Sequence, residues 1–250
     1  MNHTARKILH ASSVLVLGAS IMLAGANAPV FSAPSSGFLY DNAAARTVKT
    51  AASGKAVVTN PASTVVLVNK KRNLPSSYIP ADLVVPNVRY SFAGSSPKKQ
   101  LRRPAAAALE KMFAAARKDG VTLAAVSGYR SYATQEAIFN RNAASKGAAA
   151  ANKTSARPGQ SEHQTGLAMD VSSASVKYQL VAAFGDTKEG QWLAKYAAEY
   201  GFIIRYGKGK EKLTGYSYEP WHVRYVGVYI AQQITAAHLT LEQYLAQYND

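Results

Sequence analysis

Residues 161–170 read SEHQTGLAMD, and residues 219–224 read EPWHVR. The first stretch sets His163 and Asp170 within one short polar segment. The second sets Glu219 and His222 around Pro220. Two imidazoles and one carboxylate make a three-protein-ligand zinc set that leaves a fourth position for water. In an extended segment, residues three apart point to opposite sides. A bend before Pro220 brings Glu219 and His222 to one pocket, one as base and the other as ligand. Spacing alone is compatible with ordinary structural roles for each of these side chains.

The surrounding chain supplies a scaffold of mixed type. Pro104 opens a helix and Gly120 closes it, with Leu109, Met112, Phe113 and Ala116 repeating at helical spacing as a core stripe. Residues 121–126 read as a strand, 134–145 as a helix and 167–171 as a strand. Asp186 with Glu189 resembles a capping box for a helix that runs to Tyr200 and stops at Gly201. Residues 202–206 and 221–226 read as strands, and Thr240 caps a last helix to Tyr248. Val65 to Val68 is a β-branched run suited to a strand. Residues 74–97 carry Pro75, Pro80, Pro86 and Pro97 and are expected as extended loop. Residues 146–160 read as loop. Without regular strand–helix alternation the class is α+β, an antiparallel central sheet with flanking helices.

Length and composition bound the function. The chain has 250 residues and is 48% hydrophobic and 17% charged, which suits a folded domain with a core. It has no cysteine, so a disulfide framework and a thiol nucleophile are excluded. Arg6 and Lys7 precede an apolar run from Val14 to Ala24, and Ala24-Gly25-Ala26 offers small residues for cleavage. Residues 1–26 are therefore expected to be a secretory signal peptide, cut after Ala26. The alternative is a retained anchor, for which this run is short. Residues 27–60, rich in Ala, Ser, Pro, Thr and Gly, are expected as a flexible linker, leaving 61–250 as the folded domain. Lys and Arg number 29 against 14 Asp and Glu, a net charge of +15. In an extracytoplasmic protein that excess favours an anionic envelope polymer or a membrane surface over nucleic acid as a partner. A charge-driven nucleic-acid binder would instead show strong salt dependence and no metal.

Three strings in one order carry a resemblance. SGYRSYATQ (127–135), SEHQTGLAMD (161–170) and EPWHVR (219–224) resemble the VanY-like zinc D,D- and L,D-carboxypeptidases of bacterial cell walls. That group shares its fold with D-Ala-D-Ala dipeptidases and the hedgehog signalling domain. The resemblance covers about residues 62–250 and includes the LVNK run at 67–70. It implies zinc held by His163, Asp170 and His222, with Glu219 as general base. It implies that Arg130 binds the substrate and steadies the developing oxyanion. Ser161 and Gln135 resemble residues that hold the terminal D-Ala carboxylate, and Tyr206 one that lines the same pocket. Gly207-Lys208 stands where the family's pattern has Pro after that tyrosine, so loop 207–217 is expected to be mobile. Trp221 is expected to pack and orient its neighbours, and His238 to be a surface residue.

The implied function is removal of the terminal D-alanine from peptidoglycan stem peptides by a monomeric, secreted zinc enzyme. The stem is either a pentapeptide ending in D-Ala-D-Ala or a tetrapeptide ending in one D-Ala. The alternative is a non-catalytic cell-wall-binding module of the same fold. The resemblance predicts one zinc per chain by metal analysis, most of it lost in His222→Ala. A full zinc complement in the His163→Ala/His222→Ala double variant would refute the ligand assignment.

Overall fold

The computed structural model describes residues 32–249; the expected signal peptide and its cleavage point lie outside them. The stretch expected as a linker is built into the fold from residue 36 onward. Helix α1 (Ser36–Asp41) is capped by the Ser35 side chain, which accepts from the Phe38 amide, and it buries Leu39. Strands β1 (Val48–Thr50) and β2 (Ala56–Val58) pair antiparallel, with Val48 opposite Val58. Arg72 fastens this arm. Its guanidinium donates to the carbonyls of Ala44, Thr47 and Leu67 and to the Thr47 hydroxyl. A small-residue composition suggests a linker, but one buried cation bonded to three carbonyls holds the arm in place.

Val65, Val66, Leu67 and Val68 are all buried, as their β-branched run suggests, yet they form no strand. Buried carbonyls need donors, and here two arginine side chains supply some of them. Arg224 donates to Thr64 and Val66, and Arg72 to Leu67. β3 (Leu83–Val84) and β4 (Leu101–Arg102) then form a second small antiparallel pair.

Helix α2 (Arg103–Lys118) has Pro104 in its first turn, and Arg117 and Lys118 in its last, where cations favour the helix dipole. Its buried stripe is Ala105, Ala106, Leu109, Met112, Phe113 and Ala116. β5 (Ala124–Ser127) follows. Ser131 caps α3 (Tyr132–Lys146) by accepting from the Thr134 amide. Gly147 breaks the helix at φ 81°, and α4 (Ala148–Thr154) occupies 7 residues of the segment expected as loop. β6 (Ala168–Ser172) follows a 3-10 turn that ends at Gly166 with φ 67°. The cap of α5 (Lys188–Tyr196) is Thr187, whose hydroxyl accepts from Gly190, rather than the expected Asp186, which lies in the preceding turn. β7 (Phe202–Tyr206), α6 (Glu211–Thr214) and β8 (Glu219–Tyr225) come next. α7 (Val228–Ala236), not expected from sequence, precedes α8 (Leu241–Ala246), which Thr240 caps in a capping box with Gln243.

The main sheet has the order β5-β6-β8-β7, antiparallel throughout, in agreement with the expected α+β class. Side chains alternate across a strand. Met169 and Val171 therefore enter the core with Val223, Phe202 and the α2 stripe, while Asp170 points to the other face. A second apolar cluster joins Ile203, Val226, Ile230, Ile234, Leu241 and Leu245 around α7 and α8. No helix among the described residues is long and apolar enough to cross a membrane.

Gly128 marks where β5 leaves the sheet. A Cβ there would stand 2.4 Å from the Gln100 carbonyl oxygen and 2.9 Å from the Met169 methyl. The backbone oxygen has no flexible end to withdraw. Gly128→Ala is expected to cost about 1–3 kcal/mol and to lower the thermal midpoint. An unchanged midpoint would show that the contact relaxes freely.

Candidate active site

The strand register assembles the site. Asp170 of β6 is the direct cross-strand partner of His222 on β8, so both side chains leave the same face. His163 comes from the 3-10 turn just before β6. The turn's exit at Gly166 must be glycine, since a Cβ would lie 2.9 Å from both Arg102 Cγ and Leu83 Cδ2. Ligand atoms of His163, Asp170 and His222 lie within 4.8 Å of one another, and all three residues are buried. The His163 Nδ1 meets the Gly128 carbonyl at 2.8 Å, which leaves Nε2 directed at Asp170 Oδ2, 3.4 Å away. His222 Nδ1 is 3.0 Å from Asp170 Oδ1. The imidazole rings stand edge to face, with centroids 4.9 Å apart. Two neutral-capable imidazoles and one carboxylate converging at this spacing fit a zinc ion.

Glu219 joins them through an irregularity. Between β7 and β8 the register shifts, so Ile204 pairs with Val223 but Tyr206 pairs with Glu219. The extra residues in β8, around Pro220, turn Glu219 onto the cleft that His222 faces, as the sequence suggested. A cleft of about 370 Å³ contains Arg130, Ser161, His163, Asp170, Glu219 and His222. Tyr206, Tyr216 and Trp221 add aromatic walls. Trp221 also packs on the core, as expected. His238 is exposed.

The electrostatics separate the carboxylates. Burial pushes Glu219 up to about 7, with Asp170 adding to the shift against the opposing His222 and Arg130. Asp170 goes the other way. Burial disfavours its charge, but His163 and His222 outweigh burial and hold it well below the usual carboxylate range. For His222, burial is outweighed by hydrogen bonds to Asp170 and Glu162, which raise it to about 9. Burial lowers His163. Arg130 is lowered by burial against the pull of Asp170 and Glu219, and a guanidinium stays cationic under such a shift.

Gln135 departs from its expected place. It does not line the cleft, and its amide is engaged at both ends. Its oxygen accepts from Arg130 Nη1 at 2.7 Å, and its nitrogen donates to the Ala156 carbonyl at 2.6 Å. Gln135 thus holds the guanidinium and is not itself presented to a ligand. The Ser127 hydroxyl steadies the other arm, accepting from Nη2 at 3.2 Å. Tyr206 is in place, with its ring 4.9 Å from that of His222 and 4.6 Å from that of Tyr216. Loop 207–217 is partly ordered as a helix. It contains α6, and Lys70 clasps it to α4 by donating to the Asn152 carbonyl while lying over the Tyr216 ring.

The sequence reading passed over Glu162. This side chain is fully buried between Arg205 and Arg224, with its second oxygen 3.4 Å from His222 Nε2. Burial opposes its charge, yet the two arginines hold it far below the usual range. The available signal was Arg205 inside an otherwise apolar strand, FIIRY, where a buried cation needs a partner.

Comparison with known proteins places the chain in context. Residues 98–228 match the family described as VanY, D-alanyl-D-alanine carboxypeptidase. The chain is 51% identical over 191 residues to a putative carboxypeptidase, YodJ, of Bacillus subtilis (strain 168), covering 76% of this chain and 70% of that protein. Its fold is similar to that of the LdcB LD-carboxypeptidase, whose structure is described as revealing the molecular basis of peptidoglycan recognition. The TM-score is 0.76 at 50% identity, over 79% of this chain and 92% of that one. A variant of the D,D-pentapeptidase VanY, crystallised with Zn(II), matches at a TM-score of 0.59 and 32% identity, over 73% and 98% of the two chains.

The raised Glu219 gives a signed stability prediction for chelator-treated protein. Its proton-linked contribution is fully present below the unfolded value of 4.5 and is lost as pH rises through about 7. Glu219→Gln removes that loss. Relative to the parent, the variant should gain little at pH 4 and about 3 kcal/mol by pH 8. Denaturant titrations at the two pH values measure this, and a pH-independent difference would contradict the burial of the carboxylate.

Proposed function

Because the chain belongs to the VanY family of D-alanyl-D-alanine carboxypeptidases, we propose that it is a zinc exopeptidase acting outside the cytoplasm. It removes the terminal D-alanine from peptidoglycan stem peptides. The observation that carries this reading is the meeting of Glu219, Arg130 and the His163–Asp170–His222 set on one cleft. A wall-binding module would need no poised base there. Greater likeness to LdcB than to VanY favours the L,D reaction, on a tetrapeptide ending in one D-Ala. The basic surface assists approach to anionic wall polymers, and the N-terminal pattern supports export.

The chain's own groups divide the work. His163, Asp170 and His222 hold the ion, which when bound polarises the scissile carbonyl and acidifies a water. Glu219, with a pKa close to neutral, accepts the proton of the attacking water and passes it to the departing amine. Arg130, held by Gln135 and Ser127, presents fixed positive charge to the substrate where negative charge develops. Ser161 lies in the same cleft, placed to complete a site for the terminal carboxylate with the Arg130 fork. Tyr206 and Tyr216 close the wall behind His222.

Such a site rejects a terminus that is amidated or extended, because its buried donors then lose their partners. Mass spectrometry of stem tetrapeptide, pentapeptide and the tetrapeptide C-terminal amide tests this. D-Ala should be released from the free acids, fastest from the tetrapeptide, and barely from the amide. Glu219→Gln should retain metal and lose about 10²–10⁴ in rate. Equal cleavage of acid and amide would overturn the carboxylate-reading role. Metal-loaded protein that releases nothing from any peptide would return the wall-binding reading.

A further inference from the structure

One lysine ties together two rims of the cleft. The first rim is the end of α4, where Thr154 and Ser155 line the cleft, and the second is the segment after α6, which contributes Tyr216 and Ser217. Lys70 reaches both. Its Nζ donates to the Asn152 carbonyl of α4 at 2.6 Å and lies 4.5 Å from the centre of the Tyr216 ring. The methylene stem passes Gly215, where a Cβ would stand 3.0 Å from Lys70 Cδ. At the base of the side chain, Asn69 and Arg72 bond each other through both backbone amides, at 3.2 and 3.1 Å, so the lysine sits on a closed turn. Its own carbonyl accepts from Gln160 Nε2 at 3.0 Å. Burial lowers the pKa of Lys70 against the upward pull of Glu219, so the ammonium lies within electrostatic reach of the cleft.

We propose that Lys70 is a positioning residue that closes the cleft at the end where the terminal carboxylate of the peptide lies, so that the site accepts a chain end and excludes a continuing chain. This rests on the exopeptidase reading, with Arg130 and Ser161 at the terminal carboxylate. Two attachments put the clasp at that end. Gln160, bonded to the Lys70 carbonyl, directly precedes Ser161. Gln135 accepts from Arg130 and donates to the Ala156 carbonyl, just past the end of α4. Residues 152–161 thus carry both points gripped by Lys70, Asn152 and Gln160, together with Ser161 and the support of Arg130. On the opposite rim Tyr216, under the ammonium, packs on Tyr206 with ring centres 4.6 Å apart.

The chemistry of lysine suits the task. An ammonium makes a charge-assisted hydrogen bond to a carbonyl and is attracted to an aromatic face. Its four-carbon stem carries the charge from the turn to both rims. An apolar side chain of similar size fills the volume but makes neither attachment, and the segment after α6 is then free to part from α4. Two barriers therefore oppose an extended substrate. Arg130 and Ser161 lose their carboxylate partner, and the clasped rims leave no exit for a further residue. A C-terminal amide meets only the first barrier, because it matches the acid in size.

The test compares metal-loaded parent, Lys70→Met and Lys70→Arg on three substrates: the stem tetrapeptide, its C-terminal amide, and the tetrapeptide extended by one glycine. Mass spectrometry reads the release of D-Ala, D-Ala amide and D-Ala-Gly. In Lys70→Met the rate on the extended peptide, relative to the free acid, should rise about 10-fold or more over the parent. The rate on the amide relative to the acid should stay where it is in the parent. Lys70→Arg, which keeps a cation to donate to the Asn152 carbonyl and to stack on Tyr216, should restore the parent's selectivity. A folded Lys70→Met protein with the parent's ratio for the extended peptide would overturn the proposal, as would equal gains on amide and extended peptide. A parent that cuts acid and extended peptide equally would overturn the exopeptidase reading beneath it. If Lys70→Met does not fold, a crystal structure of the parent with a phosphinate analogue of the tetrapeptide decides. The terminal carboxylate should face the Lys70–Tyr216 end, and a stem that leaves the cleft past Lys70 would overturn the proposal.

Discussion

The pairing of Asp170 with His222 across β6 and β8 is the constraint on which the site depends. A one-residue slip in that register would send one of the two to the core face, where Met169, Val171 and Val223 lie. The apolar face therefore protects the polar one. Burial of that stripe against α2 fixes the register, and the register places imidazole and carboxylate side by side. The same logic reaches the turn before β6, where Gly166 permits the close approach that delivers His163.

Around this pairing the fold uses irregularity to add chemistry. A regular strand would direct Glu219 and His222 to opposite faces. The shifted register at the start of β8 turns Glu219 toward the cleft that His222 faces. A second shift, between Ala125 and Ser127 in β5, sets Ser127 opposite Asp170. Its hydroxyl then meets Arg130 Nη2. Bulges that re-aim side chains are common beside active sites, and here two of them bring in Glu219 and a support for Arg130. Burial then sets the two cleft carboxylates apart, with Asp170 kept ionised by its histidines and Glu219 brought close to neutrality.

Arginines hold the periphery to this centre. Arg72 ties the N-terminal arm down, and Arg224 satisfies carbonyls of the buried 64–66 segment while gripping Glu162. Arg205 joins Glu162 to the C-terminal helix. Buried ion pairs of this kind are weak sources of net stability, because desolvation offsets their attraction. Their consequence here is geometric: the 64–66 segment is fastened to β8 and the C-terminal helix to β7, two strands of the sheet that carries the site.

By itself the sequence determined the elements whose information is local. The α2 stripe, the Thr240 cap and the stop at Gly201 follow from spacing and backbone preference, and all are in place. The motif strings likewise named His163, Asp170, His222, Glu219 and Arg130, which the structure brings to one cleft, because short segments of chain present them. Tertiary structure decided what depends on partners distant in sequence. The run at 65–68 is as apolar as a strand, but arginine side chains supply donors to its carbonyls instead of a neighbouring strand. Residues 36–58 have a linker's composition, and Arg72 docks them. Gln135 reads in sequence as a substrate contact, but Arg130 and the Ala156 carbonyl occupy its amide. Glu162 was overlooked inside its own motif, since the arginines that make its burial tolerable stand 43 and 62 residues away. A side chain's type and its near neighbours are written in the chain; which atoms of it remain available is set only when distant segments have packed against it.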